Sequence, residues 1–446
     1  MNFQDWSRAF GAVAIAALCV TGYNAATGGY GGAGLSLPDF NLHLPSGGST
    51  GGSAGSAAPT VNWQLRNAGS ITPGAPAPRV GNGPFRFGGS QLSLPQVALS
   101  PDDAYVGAVG SQGQPLLWRT NDGAALPTLA NPRTAGKLVP GFTPDGRAVV
   151  VGMQGDSPLS RILSRTAPPP RTLNVTDLLT GEIVSSLPVP DVPDMPSILC
   201  DVMLSADASV AVCADRDGKA AAWDLSRSKF IQAWNMRQGS TDAAKYADID
   251  YALSPDGARI AARQAVSPLV RDSGDPALPL TFWMTTAYGM VSVVESSQPV
   301  EAFALMPLNR ESLSVQLVSV LRDGSVWLSG IQTAASERLG QLSPDPAVLS
   351  EAGVHPIYAV AVSRDGGSVV AAYSGFRRQN ELNATLASPT QILRVDMQSR
   401  KVTRYDVKQP LPALNSAILQ VAVPSHGDWL VTTWANDAIE LTVPAK

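Results

Sequence analysis

The chain has 446 residues, of which 44% are hydrophobic and only 15% charged, with 32 basic against 36 acidic side chains. A net charge of -4 argues against a nucleic-acid binder and excludes a polyacidic or polybasic tail protein. Three scattered Cys and three His exclude a disulfide-dense scaffold and a zinc ribbon, while 41 Gly and 36 Pro in a low-charge aliphatic chain point to an all-β protein.

The first element is an apolar run over residues 9–23, preceded by Arg8 and followed by no charge until Asp39. A bilayer span needs about 20 apolar residues, so this run reads either as a cleaved secretory signal or as an uncleaved anchor occupying 1–26. Both readings put Arg8 on the cytoplasmic side and export the rest of the chain. Residues 27–90 read as a Gly/Ser/Pro-rich flexible tether: 18 of the 41 Gly fall in residues 1–90, against six charged side chains. Such a composition buries too little apolar surface to offset the entropy of ordering.

Motifs in this tether have no matching context. Gly29-Tyr-Gly-Gly-Ala-Gly34 satisfies a dinucleotide fingerprint, and Gly47-Gly-Ser-Thr-Gly51 a hydrolase elbow. Each mechanism needs a strand before the motif and a helix after it, and neither is expected here.

From residue 91 the chain repeats. A short apolar run, a turn tetrapeptide and a second apolar run recur, with turns anchored at 101, 144, 206, 255, about 308, 364 and 425. Ser100-Pro-Asp-Asp, Thr143-Pro-Asp-Gly, Ser254-Pro-Asp-Gly and Ser363-Arg-Asp-Gly show the pattern. Pro presets φ, Asp bonds nearby amides and Gly accepts positive φ, so each tetrapeptide predicts a hairpin. A third apolar run comes after each hairpin and usually a fourth, as at 182–187, 229–234 and 401–405. Four strands in each of seven units predict a seven-bladed β-propeller of four-stranded antiparallel blades over 91–446. The seventh unit lacks a fourth run, and residues 60–66, where Val61, Trp63 and Leu65 alternate, are the preferred closing strand.

The repeats resemble the WD-repeat propeller family, most clearly over 200–234, where Asp217-Gly-Lys leads into Trp223-Asp224. The Gly-His opening dipeptide of that family is absent, and one unit alone keeps the terminal Trp-Asp, a divergence that favours a bacterial, exported type. The resemblance implies a binding or scaffold protein and no cofactor. Asp177-Leu-Leu-Thr-Gly-Glu182 resembles a blade fragment of quinoprotein dehydrogenases, and also a common turn between outer WD strands. An envelope enzyme using the central channel, quinoprotein-like or lactonase-like, is therefore the alternative. A sugar-binding module would want exposed Trp on the loops, whereas the nine Trp mostly fall in strand-like runs.

Two sets of side chains stand out. Cys200 and Cys213 flank the Ser205–Ala208 turn; a turn symmetric about 206/207 opposes them, and a register two residues different leaves them diagonal as two buried thiols. Both outcomes stay open from sequence. The connections between second and third strands are long in units two, four and six, at 153–171, 265–279 and 374–390. They emerge on the face opposite the turn tetrapeptides and contain Arg161, Arg165, Arg171, Arg271, Arg377 and Arg378 with few acids. Long polar loops on a rigid scaffold are where binding concentrates, so these Arg are the expected contacts for a protein partner in the cell envelope. His43 lies in the tether, His355 ahead of the inner strand of unit six and His426 in the last turn, too dispersed for a metal set.

Overall fold

The computed structural model describes residues 63–65 and, with gaps, 96–442. The gaps fall at 110–114, 129–137, 156–169, 198–199, 216, 237–247, 266–279, 286–289, 295–298, 309–314, 332–334, 344–353, 379–383, 407–417 and 435–438. The apolar segment 1–26 and the tether 27–90 lie outside the described residues, except for 63–65. Arg161, Arg165 and Arg271 lie outside them too.

All described secondary structure is β. The first strand in the chain is β1 (Trp63–Leu65). Sheet one contains β2 (Gln96–Leu99), β3 (Tyr105–Val109), β4 (Pro115–Arg119) and β5 (Ala125–Leu126), and sheet two β6 (Leu138–Phe142), β7 (Ala148–Gln154), β8 (Thr172–Asp177) and β9 (Ile183–Pro188). Sheet three is β10 (Asp201–Leu204), β11 (Val210–Ala214), β12 (Lys219–Asp224) and β13 (Lys229–Asn235). Sheet four is β14 (Asp248–Leu253), β15 (Arg259–Ala265), β16 (Leu280–Met284) and β17 (Met290–Val294). Sheet five is β18 (Val300–Leu305), β19 (Gln316–Leu321), β20 (Ser325–Gly330) and β21 (Ser336–Gln341). Sheet six is β22 (Val354–Val362), β23 (Ser368–Arg378), β24 (Ala384–Asp396) and β25 (Val402–Asp406). The last sheet, β26 (Ile418–Ala422), β27 (Leu430–Trp434) and β28 (Ile439–Thr442), takes β1 as its fourth strand, with Trp63 opposite Leu441 and Leu65 opposite Ile439.

Every pairing is antiparallel between chain neighbours except β1 with β28, and the sheets are the blades of a β-propeller. Buried apolar side chains gather in the junctions rather than in one central core. Val149, Val151 and Leu173 of sheet two pack on Ala211, Cys213 and Trp223 of sheet three. Val318 and Val320 of sheet five meet Val369 and Leu393 of sheet six. Val106 and Trp118 of the first sheet pack on Val431 and Ile439 of the last. Strands buried on both faces need few charges, which accounts for the charge deficit beyond the tether.

The repeated turn has a bolt that the tetrapeptide alone does not reveal. Ser100, Ser205, Ser254 and Ser363 each donate from Oγ to the Asp two residues on, at 2.6, 2.7, 2.6 and 2.6 Å. The same Oγ accepts the backbone N–H five residues on, from Tyr105, Val210, Arg259 and Ser368. Thr143 makes the corresponding pair in sheet two, donating to Asp145 and accepting the N–H of Arg147, here four residues on. The residue after the Asp has positive φ, whether it is Gly257 (69°) or a non-glycine such as Asp103 (58°) or Ala208 (48°). At Gly257 an added Cβ would also stand 2.7 Å from Val210 Cβ, so strain and crowding both reserve the position for glycine.

Asp207 shows the electrostatics of this bolt. Burial raises its carboxyl, but hydrogen bonds from Ser209 and Ser205 outweigh burial and hold it below the usual carboxylate range. Its stabilisation is therefore complete above the unfolded value and is lost as pH falls through the lower folded one. Ser205→Ala is expected to cost about 1–2 kcal/mol at pH 7, and a smaller amount at pH 3. Urea denaturation midpoints at the two pH values measure the difference, and an equal loss at both would contradict the assignment.

Candidate functional site

Two surfaces could hold a ligand or partner. The first is the axis of the propeller. The innermost strands surround a cavity of about 520 Å³, lined by Ala98, Pro140, Met203, Ala252, Phe303, Ala361 and Val421 among others. Among the described residues, three charged ones line it, but they are split between its ends. Asp103 and Arg364 belong to hairpin turns on one side, whereas Asp201 opens β10 on the other. Asp103 is engaged: its Oδ2 accepts the N–H of His426 at 2.9 Å and lies 3.4 Å from that imidazole. Arg364 stands where the other turns hold Pro101, Ala206 and Pro255, and its charge contributes to the lowering of Asp207. Separated charges on an aliphatic wall suit a structural axle or a weak ligand contact better than a concerted proton transfer.

The turns beside this axis are tied to one another. The N–H of Ala206 donates to Pro255 O at 2.8 Å, and that of Leu308 to Asp256 Oδ2 at 2.9 Å. Tyr358 donates to Arg322 O at 2.8 Å and Tyr405 to Asp428 O at 3.0 Å, each crossing a sheet junction. Burial pushes both phenols up, which keeps them neutral donors. Buried Arg394 likewise binds Ser368 Oγ in its own sheet and Gly427 O in the next. These contacts make the scaffold rigid, which is what a binding face needs.

The second surface is the face opposite the turns, where the connections from second to third strands emerge. Of the six Arg expected there, Arg171 is half-buried immediately before β8, and Arg377 and Arg378 end β23. The expectation of a loop over 374–390 needs correction. Most of that stretch is strand: β23 runs on to Arg378 and β24 begins at Ala384, with Arg377 opposite Thr385 and Arg378 opposite Ala384. The inner strand extends with them, pairing Val354 with Arg377, so His355 lies within β22 rather than ahead of it. Long-range pairing satisfies the backbone of a polar sequence that looks like a loop locally. The result is a three-stranded projection from one blade.

Asp191, Asp194, Asp215, Asp217 and Asp323 lie on the connections of this face, beside Arg171, Lys219 and Arg322. With Arg377 and Arg378, the described part of this face carries charges of both signs. Asp215 is turned inward, accepting the N–H groups of Ser197 (2.8 Å), Asp217 and Lys219 (both 3.0 Å).

Cys200 and Cys213 are joined as a disulfide, with Cα atoms 5.7 Å apart and both residues buried. The register is not the symmetric one. Val202 faces Cys213 and Asp201 faces Ala214, so the hairpin centres on 207/208 because Ala208 takes the positive-φ corner. Cys200 precedes β10, where its N–H bonds Ser197 O, and this turn brings it back to Cys213. Among the described residues, no group of three or more His, Cys, Asp or Glu is placed to hold a metal.

No family model matches the chain, and no curated protein matches it.

Proposed function

We propose that this chain is a seven-bladed, WD-repeat-like propeller that acts as a protein-binding scaffold in the bacterial cell envelope. The observation that supports this reading most is the shape of the loop face. A projecting hairpin ending in Arg377 and Arg378 rises from a scaffold whose junctions are fastened by buried hydrogen bonds. Rigid support with protruding, polar elements is how binding surfaces are built. Arg161, Arg165, Arg171 and Arg271 belong to the other two long connections and complete a three-lobed contact face for an envelope protein. The buried disulfide favours an oxidising compartment, in line with periplasmic export by the apolar segment 1–26.

Affinity capture tests this reading. The full chain, tagged at its C-terminus, is expected to retain an envelope protein from solubilised membranes. Replacing Arg161, Arg165, Arg171, Arg271, Arg377 and Arg378 together by Ser is expected to abolish that retention without lowering the melting temperature. Unchanged capture by the variant would refute the loop face as the contact surface.

A further inference from the structure

The cavity on the axis has features that an inert axle does not need. Each innermost strand pairs on one side within its sheet, so its other edge turns N–H and C=O groups toward the axis. Small residues keep those edges within reach of a guest, among them Ala98, Gly141, Ala252, Ala304, Ala361 and Ala422. A volume of about 520 Å³ falls in the range of small-ligand sites. From Asp201 to Ser205 the wall follows β10 for roughly 13 Å, at about 3.3 Å per residue. That is the length of a short extended peptide.

Two polar side chains on this wall lack partners. Arg364 is half-buried at the turn-face mouth and makes no hydrogen bond or ion pair with a described residue. Two acids of the same face are already engaged, Asp103 by the N–H of His426 and Asp207 by the hydroxyls of Ser205 and Ser209. Nearer the opposite mouth, which Asp201 flanks, Gln420 Oε1 is buried without a hydrogen-bond partner. Thr433, opposite Gln420 in the ladder, is fully buried, and its Oγ1 also has no partner. An unsatisfied buried acceptor costs stability and returns nothing to the fold, so its presence points to a donor that enters through the cavity.

We propose that the axis is a binding site for a short extended peptide with free termini, its carboxylate on Arg364 and its ammonium at Gln420 Oε1, in the field of Asp201. The wall carries a cation at one end and an anion at the other, which matches a zwitterion. A guest of one sign would meet its own charge at one mouth. The peptide's N–H and C=O groups pair with the inner strand edges, as in other strand-addition complexes, and short aliphatic side chains fit between the small wall residues. This site lies on the axis and is independent of the loop-face reading.

The probe is tetra-alanine, titrated calorimetrically into the full chain. It is expected to bind one peptide per chain. Its C-terminal amide and its N-acetyl form, each lacking one end charge, are expected to bind at least about tenfold more weakly. Arg364→Gln is expected to abolish the preference for the free carboxylate and to keep that for the free ammonium. Gln420→Leu is expected to do the reverse, with a melting temperature that does not fall, because it removes an unsatisfied buried acceptor. Equal binding of the free and capped peptides, a carboxylate preference that survives Arg364→Gln, or no heat at millimolar peptide would each overturn the proposal.

Discussion

Replacing Cys200 and Cys213 together by Ala is expected to lower the stability of the propeller by about 3 kcal/mol, the value for a loop of this size. The disulfide closes a separation of 13 residues, and a cross-link of that span restricts the unfolded chain by roughly this amount. Ala is the right replacement because both sulfurs lie among Val149, Leu173 and Trp223, where an unpaired hydroxyl would add its own cost. The measurement is the urea midpoint of the oxidised chain against the double variant. A companion assay counts thiols in denaturant without reductant. With three Cys in the sequence, the oxidised chain is expected to show no more than one, that of Cys19. Three reactive thiols, or coincident midpoints, would show that the bridge is not formed or has no effect. Reductant added to the folded chain is expected to act slowly, since both Cys are almost fully buried and the bond is reached by opening the junction.

The blades were legible in the sequence because the turn chemistry is local. Ser, Pro, Asp and Gly within five positions specify a hairpin, and the apolar runs either side can only be its strands. The register was not legible to the same degree. It depends on which residue takes the positive-φ corner, and in sheet three that residue is Ala208, which gives no hint of it. The projection of sheet six was hidden for a different reason: Gly375 to Ser388 contains Arg, Gln, Asn and Glu, and its partner at Val354–Ile357 lies some twenty residues upstream. One interblade fastener did leave a trace. Arg394 interrupts the apolar run Ile392–Val395, and a lone charge in a strand buried on both faces must find partners across a junction, here Ser368 and Gly427.

Ring closure is the feature on which the largest length of chain depends, and truncation isolates it. A chain lacking residues 1–55 is expected to melt where the full chain does, because β1 remains. A chain lacking residues 1–68 is expected to lose about 3 kcal/mol, roughly one for each ladder position from Trp63–Leu441 to Leu65–Ile439. It is also expected to self-associate, since β28 becomes a free edge beside the buried Ile439 and Leu441. A synthetic peptide of residues 56–70, supplied in excess, should restore the lost stability by adding the strand in trans. This rescue separates strand loss from general damage: a truncated chain that has simply misfolded gains nothing from the peptide. Coincident melting of the two truncated chains would mean that the last sheet is stable with three strands. In that case Trp63–Leu65 would decorate the propeller without closing it, and the terminal strands would be held by the junction between Val106, Trp118, Val431 and Ile439 alone.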